Sequence, residues 1–252
     1  MTGFAPEALT EDALLGGRVR LLQPRGGYRA ATDPVLLAAA LQARPGERAL
    51  DLGCGAGAAM LCLAARVPGL ELHGLEVQPD YADLARRNAA LNGAEATIWE
   101  GDAFAAPAEL RRIGFDLVLS NPPFFDAAAP AAPDKGRDAA RRAQRDAAEW
   151  AAAALARLRS GGRLALVHRA ESLPALLAGL GAGAGDVSVI PLAARAGRAA
   201  KRVIVTARKG AKGPFRLAAP LILHEGPEHL KDGDDFSREA AAILRDGAAL
   251  AP

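Results

Sequence analysis

Residues 49–57 read Ala49-Leu50-Asp51-Leu52-Gly53-Cys54-Gly55-Ala56-Gly57, following Arg48 and preceding a run of helix formers that starts at Ala58. Arg48–Leu52 fits a short strand. Glycines at alternate positions then let the backbone turn tightly and approach a ligand closely before a helix begins. The motif alone leaves the ligand open, because Gly53, Gly55 and Ala58 also satisfy the GxGxxG/A fingerprint of dinucleotide sites. A tight strand-to-helix turn with no ligand would carry the same glycines.

Outward from this loop the chain alternates strand and helix patterns. Strands fit Glu71–Glu76, Ala96–Glu100, Phe115–Ser120 and Arg163–His168; helices fit Ala58–Arg66, Pro79–Asn92 and a long segment Asp138–Arg159 that stops at Ser160-Gly161-Gly162. Units of this length argue for an α/β fold with a doubly wound, mostly parallel sheet. Val187–Pro191 and Lys201–Ala207 look like an antiparallel C-terminal hairpin added to its edge. Residues 1–45 read as an N-terminal extension packed on the core, with a short strand over Val19–Gln23 and a helix from Thr32-Asp33-Pro34 to Leu41. Thr32 or Asp33 caps that helix and Pro34 takes its tolerated first turn. Residues 46–252 form the main domain, ending in a strand-like run near Leu221, a charged turn and a helix from Ser237.

Three further strand ends carry polar signals. Glu76 can accept from both hydroxyls of a ribose, which fits an adenosine-containing cofactor of either kind, or it is a solvated helix-start charge. Asp102 can accept from an adenine amine with Ala103 or Phe104 against the ring, or it caps the next short helix. The fourth strand runs into Ser120-Asn121-Pro122-Pro123-Phe124-Phe125. Two prolines remove two N–H donors and make a rigid turn with outward carbonyls. The Asn121 amide oxygen and the Pro122 carbonyl then form an acceptor pair beside the aromatic Phe124, which suits a planar NH2 group on a conjugated system. Ligands of open α/β sheets bind outside the carboxyl ends of strands, so four polar signals at four such ends weigh more than any one.

Composition sets limits. Half of the 252 residues are hydrophobic, enough for a substantial core, and the net charge of +2 permits an RNA partner without arguing for one. Cys54 and Cys62 are the only cysteines and have no metal-ligand spacing, which gives the expectation of a reduced, cytoplasmic chain without a zinc site. The first residues lack a signal-peptide pattern, and no apolar run is long enough for a membrane span. His73, His168, His224 and His229 show no carboxylate or nucleophile partner at a telling spacing. Trp99 and Trp150 read as packing.

The order of these motifs over residues 25–210 resembles the class I S-adenosylmethionine-dependent methyltransferases, whose sheet is Rossmann-like. Asn121-Pro122-Pro123-Phe124 looks like the element of enzymes that methylate adenine N6 or glutamine amides. More narrowly, Arg25-Gly26-Gly27-Tyr28-Arg29-Ala30-Ala31-Thr32-Asp33-Pro34-Val35-Leu36-Leu37 and Leu221-Ile222-Leu223-His224-Glu225 resemble the bacterial tRNA adenine-N6 methyltransferases that act beside the anticodon of valine tRNA. Many members have Tyr where this chain has Phe124, and the tail has Phe236-Ser237 where relatives often show a Tyr-Thr pair.

The resemblance implies S-adenosylmethionine as cofactor, an RNA substrate, most simply tRNA, and no metal. It implies Asn121, Pro122 and Phe124 as catalytic residues. Asp51, Gly53, Gly55, Gly57, Glu76, Asp102, Ala103 and Asn121 are implied on the cofactor. Candidate phosphate contacts are Arg25 and Arg29, the Arg137/Arg141/Arg142/Arg145 face, and Arg195/Arg198/Lys201/Arg202. A protein glutamine-N5 methyltransferase, or a non-catalytic cofactor- or RNA-binding protein, is the alternative. The sequence is silent on oligomeric state.

Overall fold

The computed structural model describes residues 3–26, 29–122, 147–226, 228 and 235–250. The chain opens with a two-stranded antiparallel hairpin, β1 (Leu9–Leu14) and β2 (Val19–Pro24). A nine-stranded sheet follows, built from β3 (Arg48–Leu52), β4 (Glu71–Glu76), β5 (Ala96–Glu100), β6 (Phe115–Ser120), β7 (Leu158–Arg169), β8 (Ala184–Ala193), β9 (Arg202–Lys209), β10 (Arg216–Leu217) and β11 (Leu221–Ile222). Its order is β10-β8-β9-β7-β6-β3-β4-β5, with β11 also on β8. The β7-β6-β3-β4-β5 portion is parallel, and β9 runs antiparallel to both β7 and β8. The doubly wound, mostly parallel sheet and its antiparallel hairpin are thus as the alternation implies.

Alternate residues of one strand go to different cores. Ala49, Leu117 and Leu119 join one buried cluster; Leu50, Leu52 and Val118 join the other. Strands buried on both faces need a layer of helices on each, which is why they read as apolar runs rather than as alternation. On the first face lie α1 (Thr32–Ala40), α2 (Ala58–Arg66), α3 (Pro79–Leu91) and the last helix, α7 (Arg238–Asp246). On the second lie α4 (Ala108–Arg111), α5 (Ala147–Arg157) and α6 (Leu173–Leu180). Among the described residues no helix is long and apolar enough to cross a membrane.

Several local expectations are corrected. The long fourth helix pattern ends at Arg157, and β7 begins at once with the buried Leu158. Ser160-Gly161-Gly162 is a bulge inside β7, because Phe115 pairs with Leu158 while Leu117 pairs with Arg163. Glycine is required there: a Cβ on Gly162 would lie 2.9 Å from the Phe115 carbonyl oxygen. Residues 138–146 of the expected helix lie outside the described residues. Neither Thr32 nor Asp33 caps α1; Ala31 occupies the cap position, and Asp33 turns instead to Arg202 at 3.4 Å. The strand β1 has no counterpart in the sequence reading. The helix starting after Ser237 is capped as its sequence implies, with Ser237 Oγ accepting from Ala240 N–H at 3.1 Å.

Candidate functional site

Strand order reverses between β3 and β6: from β3 the chain winds through β4 and β5, and from β6 through β7. The crevice at such a switch point is where an open α/β sheet binds its ligand. Asp51 of β3 stands beside Leu119 of β6, and the buried Ser120 hydroxyl donates to the Leu52 carbonyl at 2.6 Å. The glycine loop and Asn121-Pro122 therefore leave the sheet side by side. Asp51, Gly53, Gly55 and Asn121 line one cleft, together with Gln23 and Tyr81. Gly57, Glu76, Asp102 and Ala103 are not among its lining residues. Phe124 lies outside the described residues, as do Tyr28, His229 and the Arg137/Arg141/Arg142/Arg145 face.

Two carboxylates organise the loop. Asp51 is 2% exposed and accepts from Met60 N–H at 3.1 Å. Burial raises its carboxyl to about 7, outweighing that hydrogen bond, and nearby Glu76 adds in the same upward direction. Glu76 accepts from Gly55 N–H at 2.9 Å through one oxygen and from Gln78 N–H at 2.8 Å through the other. The reading of Glu76 as a solvated charge is overturned, since it is 6% exposed. Each oxygen keeps a lone pair for a further donor. The Gly53 and Cys54 N–H groups both donate to the Leu75 carbonyl, at 2.8 and 3.0 Å, so the loop is fastened to the end of β4. Gly53, Gly55 and Gly57 all have positive φ (75°, 52° and 86°), and nothing lies within 4 Å of where a Gly55 Cβ would stand. That is open space beside the loop backbone.

At the end of β5, Asp102 accepts from Phe104 N–H at 3.0 Å and caps a single turn, Ala103–Ala105. Phe104 meets Trp150 edge to face at 5.2 Å, and Trp150 also backs Gly53, which makes it packing under the loop. Trp99 donates to His73 at 3.2 Å. Two histidines do have carboxylate partners: His73 meets Glu71 at 2.9 Å and His224 meets Asp235 at 2.6 Å. The second pair joins sites eleven residues apart across an isolated bridge between His224 and Phe236, a long-range closure with no periodic trace. Burial pushes the Cys54 thiol well up and the Cys62 thiol to about 12, so neither supplies a thiolate. Among the described residues no group of three or more His, Cys, Asp or Glu side chains could hold a metal ion.

The roof of the cleft is the part the sequence reading missed. Asn88 of α3, fully buried, donates to the carbonyls of Leu22 and Ala56 at 3.0 and 2.9 Å and accepts from Leu22 N–H at 2.8 Å. One side chain thus ties the hairpin, the glycine loop and α3 together. Gln23 donates to Asp12 and to the Ala30 carbonyl and accepts from Ala30 N–H. The signal for both was a polar residue in buried phase: Gln23 follows Val19 and Leu21 on one strand face, and Asn88 follows Leu84 and Ala85 on one helix face. Arg29 pairs with Asp12 at 2.5 Å and donates to Thr10 Oγ1 and the Pro24 carbonyl, and Arg25 donates to the Glu7 carbonyl at 3.0 Å. Arg29 is thereby committed to holding the hairpin, whereas Arg25 is exposed and donates through Nε alone.

Residues 31–179 match the family described as methyltransferase small domain. A tRNA1(Val) (adenine(37)-N6)-methyltransferase of Yersinia enterocolitica is 34% identical over 149 residues, 56% of this chain and 59% of that protein. A release factor glutamine methyltransferase of Geobacter sulfurreducens is 38% identical over 95 residues, 37% of this chain and 32% of that protein. The chain thus spans less than two thirds of the length of these relatives. Among solved structures, a protein described as a predicted O-methyltransferase from Agrobacterium tumefaciens superposes with a TM-score of 0.70 at 28% identity, covering 87% of this chain and 99% of that one.

Proposed function

The chain belongs to the methyltransferase small domain family, and from that premise we propose that it transfers the methyl group of S-adenosylmethionine to the exocyclic N6 of an adenine in tRNA. The observation that carries the reading is the juxtaposition of Asn121 with the glycine loop at the sheet's switch point. The cleft suits this cofactor: the open side of Gly55 leaves room against backbone, and two acidic side chains, Asp51 and Glu76, stand behind the loop to meet a cationic, ribose-bearing ligand. Gly53, Gly55, Gly57 and Asp51 would hold its amino-acid end, Glu76 its ribose, and Asp102 with Ala103 its adenine. When bound, it supplies a methyl group made electrophilic by the adjoining sulfonium.

The rest falls to the chain's own residues. An exocyclic amine is a poor nucleophile because its lone pair is delocalised into the ring. Asn121 Oδ1 and the Pro122 carbonyl accept its two N–H bonds, which orients the nitrogen and stabilises the positive charge that develops there. Phe124 stacks on the base, a contact worth ~1–3 kcal/mol in other nucleic-acid binders. A base reaches the cleft only if it is unstacked, which is least costly in a loop of folded RNA. Pro122 gives the turn rigidity, so these acceptors need not be ordered at the moment of reaction. A tRNA substrate also sets the chain in the cytoplasm, in keeping with its two buried free thiols.

The Geobacter relative keeps a second reading in view, transfer to a glutamine side-chain amide, since the same acceptor pair suits that NH2 group. The shorter stretch that relative matches makes it the weaker one. The test is Asn121→Ala, with calorimetry of S-adenosylmethionine beside a radiolabelled methyl assay on total tRNA. Cofactor affinity is expected to hold while transfer falls by at least ~10²–10³-fold, the scale of losing one preorganised polar contact to a developing charge. Undiminished transfer would sink the mechanism. Nucleoside mass spectrometry of tRNA from a deletion strain identifies the product.

A further inference from the structure

The carboxyl edge of the sheet does not end at Asn121. Ser120 pairs with Leu166 of β7, Arg169 of β7 pairs with Arg202 of β9, and Arg202 pairs with Leu192 of β8. Two strand spacings, ~10 Å, separate β6 from β9, and Arg202 lies three residues, roughly 10 Å, beyond Val205, which is level with Ser120. There an open groove of about 670 Å3 is lined by Leu192, Ala194, Ala199 and Leu223 on its apolar side and by Arg195, Arg198, Lys201 and Arg202 on its charged side, with Asp33 the one acid among the described lining residues.

The four cations are not equivalent. Arg202 is paired with Asp33 at 3.4 Å. Arg195 is paired with Asp235 at 2.5 Å and also donates to the carbonyls of Glu225 and Gly226, so it clasps the C-terminal segment whose Asp235 also holds His224. No described carboxylate pairs with Arg198 or Lys201, and both are exposed. The groove therefore has an apolar floor, a rim braced by ion pairs, and two uncommitted cations at its mouth. A floor of that kind accepts the face of a base or ribose, and a pair of uncommitted cations accepts a phosphate.

We infer that this groove binds the nucleotide adjoining the methylated adenine, with its phosphate on Arg198 and Lys201 and its base or ribose on Ala194, Ala199 and Leu223. The inference rests on the RNA reading above and extends it by choosing one surface among the basic clusters. Of the others, Arg29 is paired with Asp12, which leaves Arg25 a single exposed cation, and the 137–145 face lies outside the described residues. Asp33 on the groove and Pro34 on the cleft are chain neighbours, so a strand whose adenine is turned into the cleft has this groove within reach.

The test is the full-length double variant R198E/K201E beside the neutral R198Q/K201Q, both at exposed positions where the fold is not engaged. Binding to total tRNA is measured across a salt series, with the KM for tRNA, kcat and calorimetric affinity for S-adenosylmethionine. Two lost phosphate contacts reduce the slope of log K against log salt by ~1–2 and raise the KM for tRNA, more in the reversed variant than in the neutral one. Cofactor affinity stays unchanged. Wild-type slope and KM in R198E/K201E, with the unaltered protein still methylating tRNA, overturn the groove assignment and leave the RNA reading standing. An equal loss of cofactor affinity also overturns it, since the residues then act through the fold. If the unaltered protein methylates a protein amide and no RNA, the reading itself fails and the groove assignment with it, a result visible without any variant.

Discussion

Asp51→Asn separates what this residue does for the fold from what it does for the ligand. The carboxyl is 2% exposed and is raised by burial from an ordinary 3.8 to about 7. A carboxyl raised on folding favours the protonated form in the native state, so its contribution is fully present below pH ~4 and is lost as pH climbs to about 7. A rise from 3.8 to about 7 is roughly three pH units, about 4 kcal/mol of lost stability above neutrality at 1.36 kcal/mol per unit. Between pH 5 and pH 8 the expected fall is roughly 2.5 kcal/mol, or about 5–10 °C in Tm at this size. Asparagine keeps an oxygen for Met60 N–H and carries no charge. Its new NH2 group adds a pH-independent cost of ~1–3 kcal/mol if it finds no partner. The decisive quantity is therefore the difference between the two proteins' stabilities at pH 8 minus that at pH 5, measured by urea titration. Parallel curves for the two proteins from pH 5 to 8 would refute the reasoning. The variant is further expected to bind S-adenosylmethionine more weakly, because Asp51 lines the cleft proposed for that cationic cofactor.

Asn88→Leu removes three hydrogen bonds at once and strands the Leu22 N–H and the Leu22 and Ala56 carbonyls. With ~1–3 kcal/mol per stranded buried group, partly relieved by water at the cleft, a loss of ~2–5 kcal/mol in urea titration is expected, together with weakened cofactor binding as the glycine loop loosens. Gly179→Ala would set a Cβ 2.1 Å from the Ala148 carbonyl oxygen, where α6 crosses α5, so the helices must part; ~1–3 kcal/mol of destabilisation is expected with cofactor affinity intact, read by thermal melts beside calorimetry.

How much of this was legible in the chain depends on whether a residue's role is set by its neighbours in sequence or by a distant partner. β3, β4 and β6 are buried along most of their length because both faces are covered, and each carries or runs into a polar residue at its carboxyl end, Asp51, Glu76 and Asn121 in turn. Fold and cleft were therefore readable together from Leu50 to Asn121. β1 was not, because Leu9 is its only buried residue and Thr10-Glu11-Asp12 has the polarity of a loop; its strand character comes wholly from pairing with β2. Local rules also misled where a distant group competed. Asp33 stands where a helix cap belongs, yet Arg202, 169 positions away, draws it to the rim of the basic groove and leaves Ala31 at the cap. The Gly161-Gly162 pair has the form of a helix stop, yet the crowded Phe115 carbonyl makes it a bulge within β7. Arg29 has the charge of a phosphate site, yet the Pro24 carbonyl and Asp12 already occupy it. In each of these cases a polar or glycine residue whose local meaning was plausible was claimed by a contact from elsewhere in the fold. By the same reasoning the cations proposed to meet RNA are those that no described carboxylate claims, and in the basic groove these are Arg198 and Lys201.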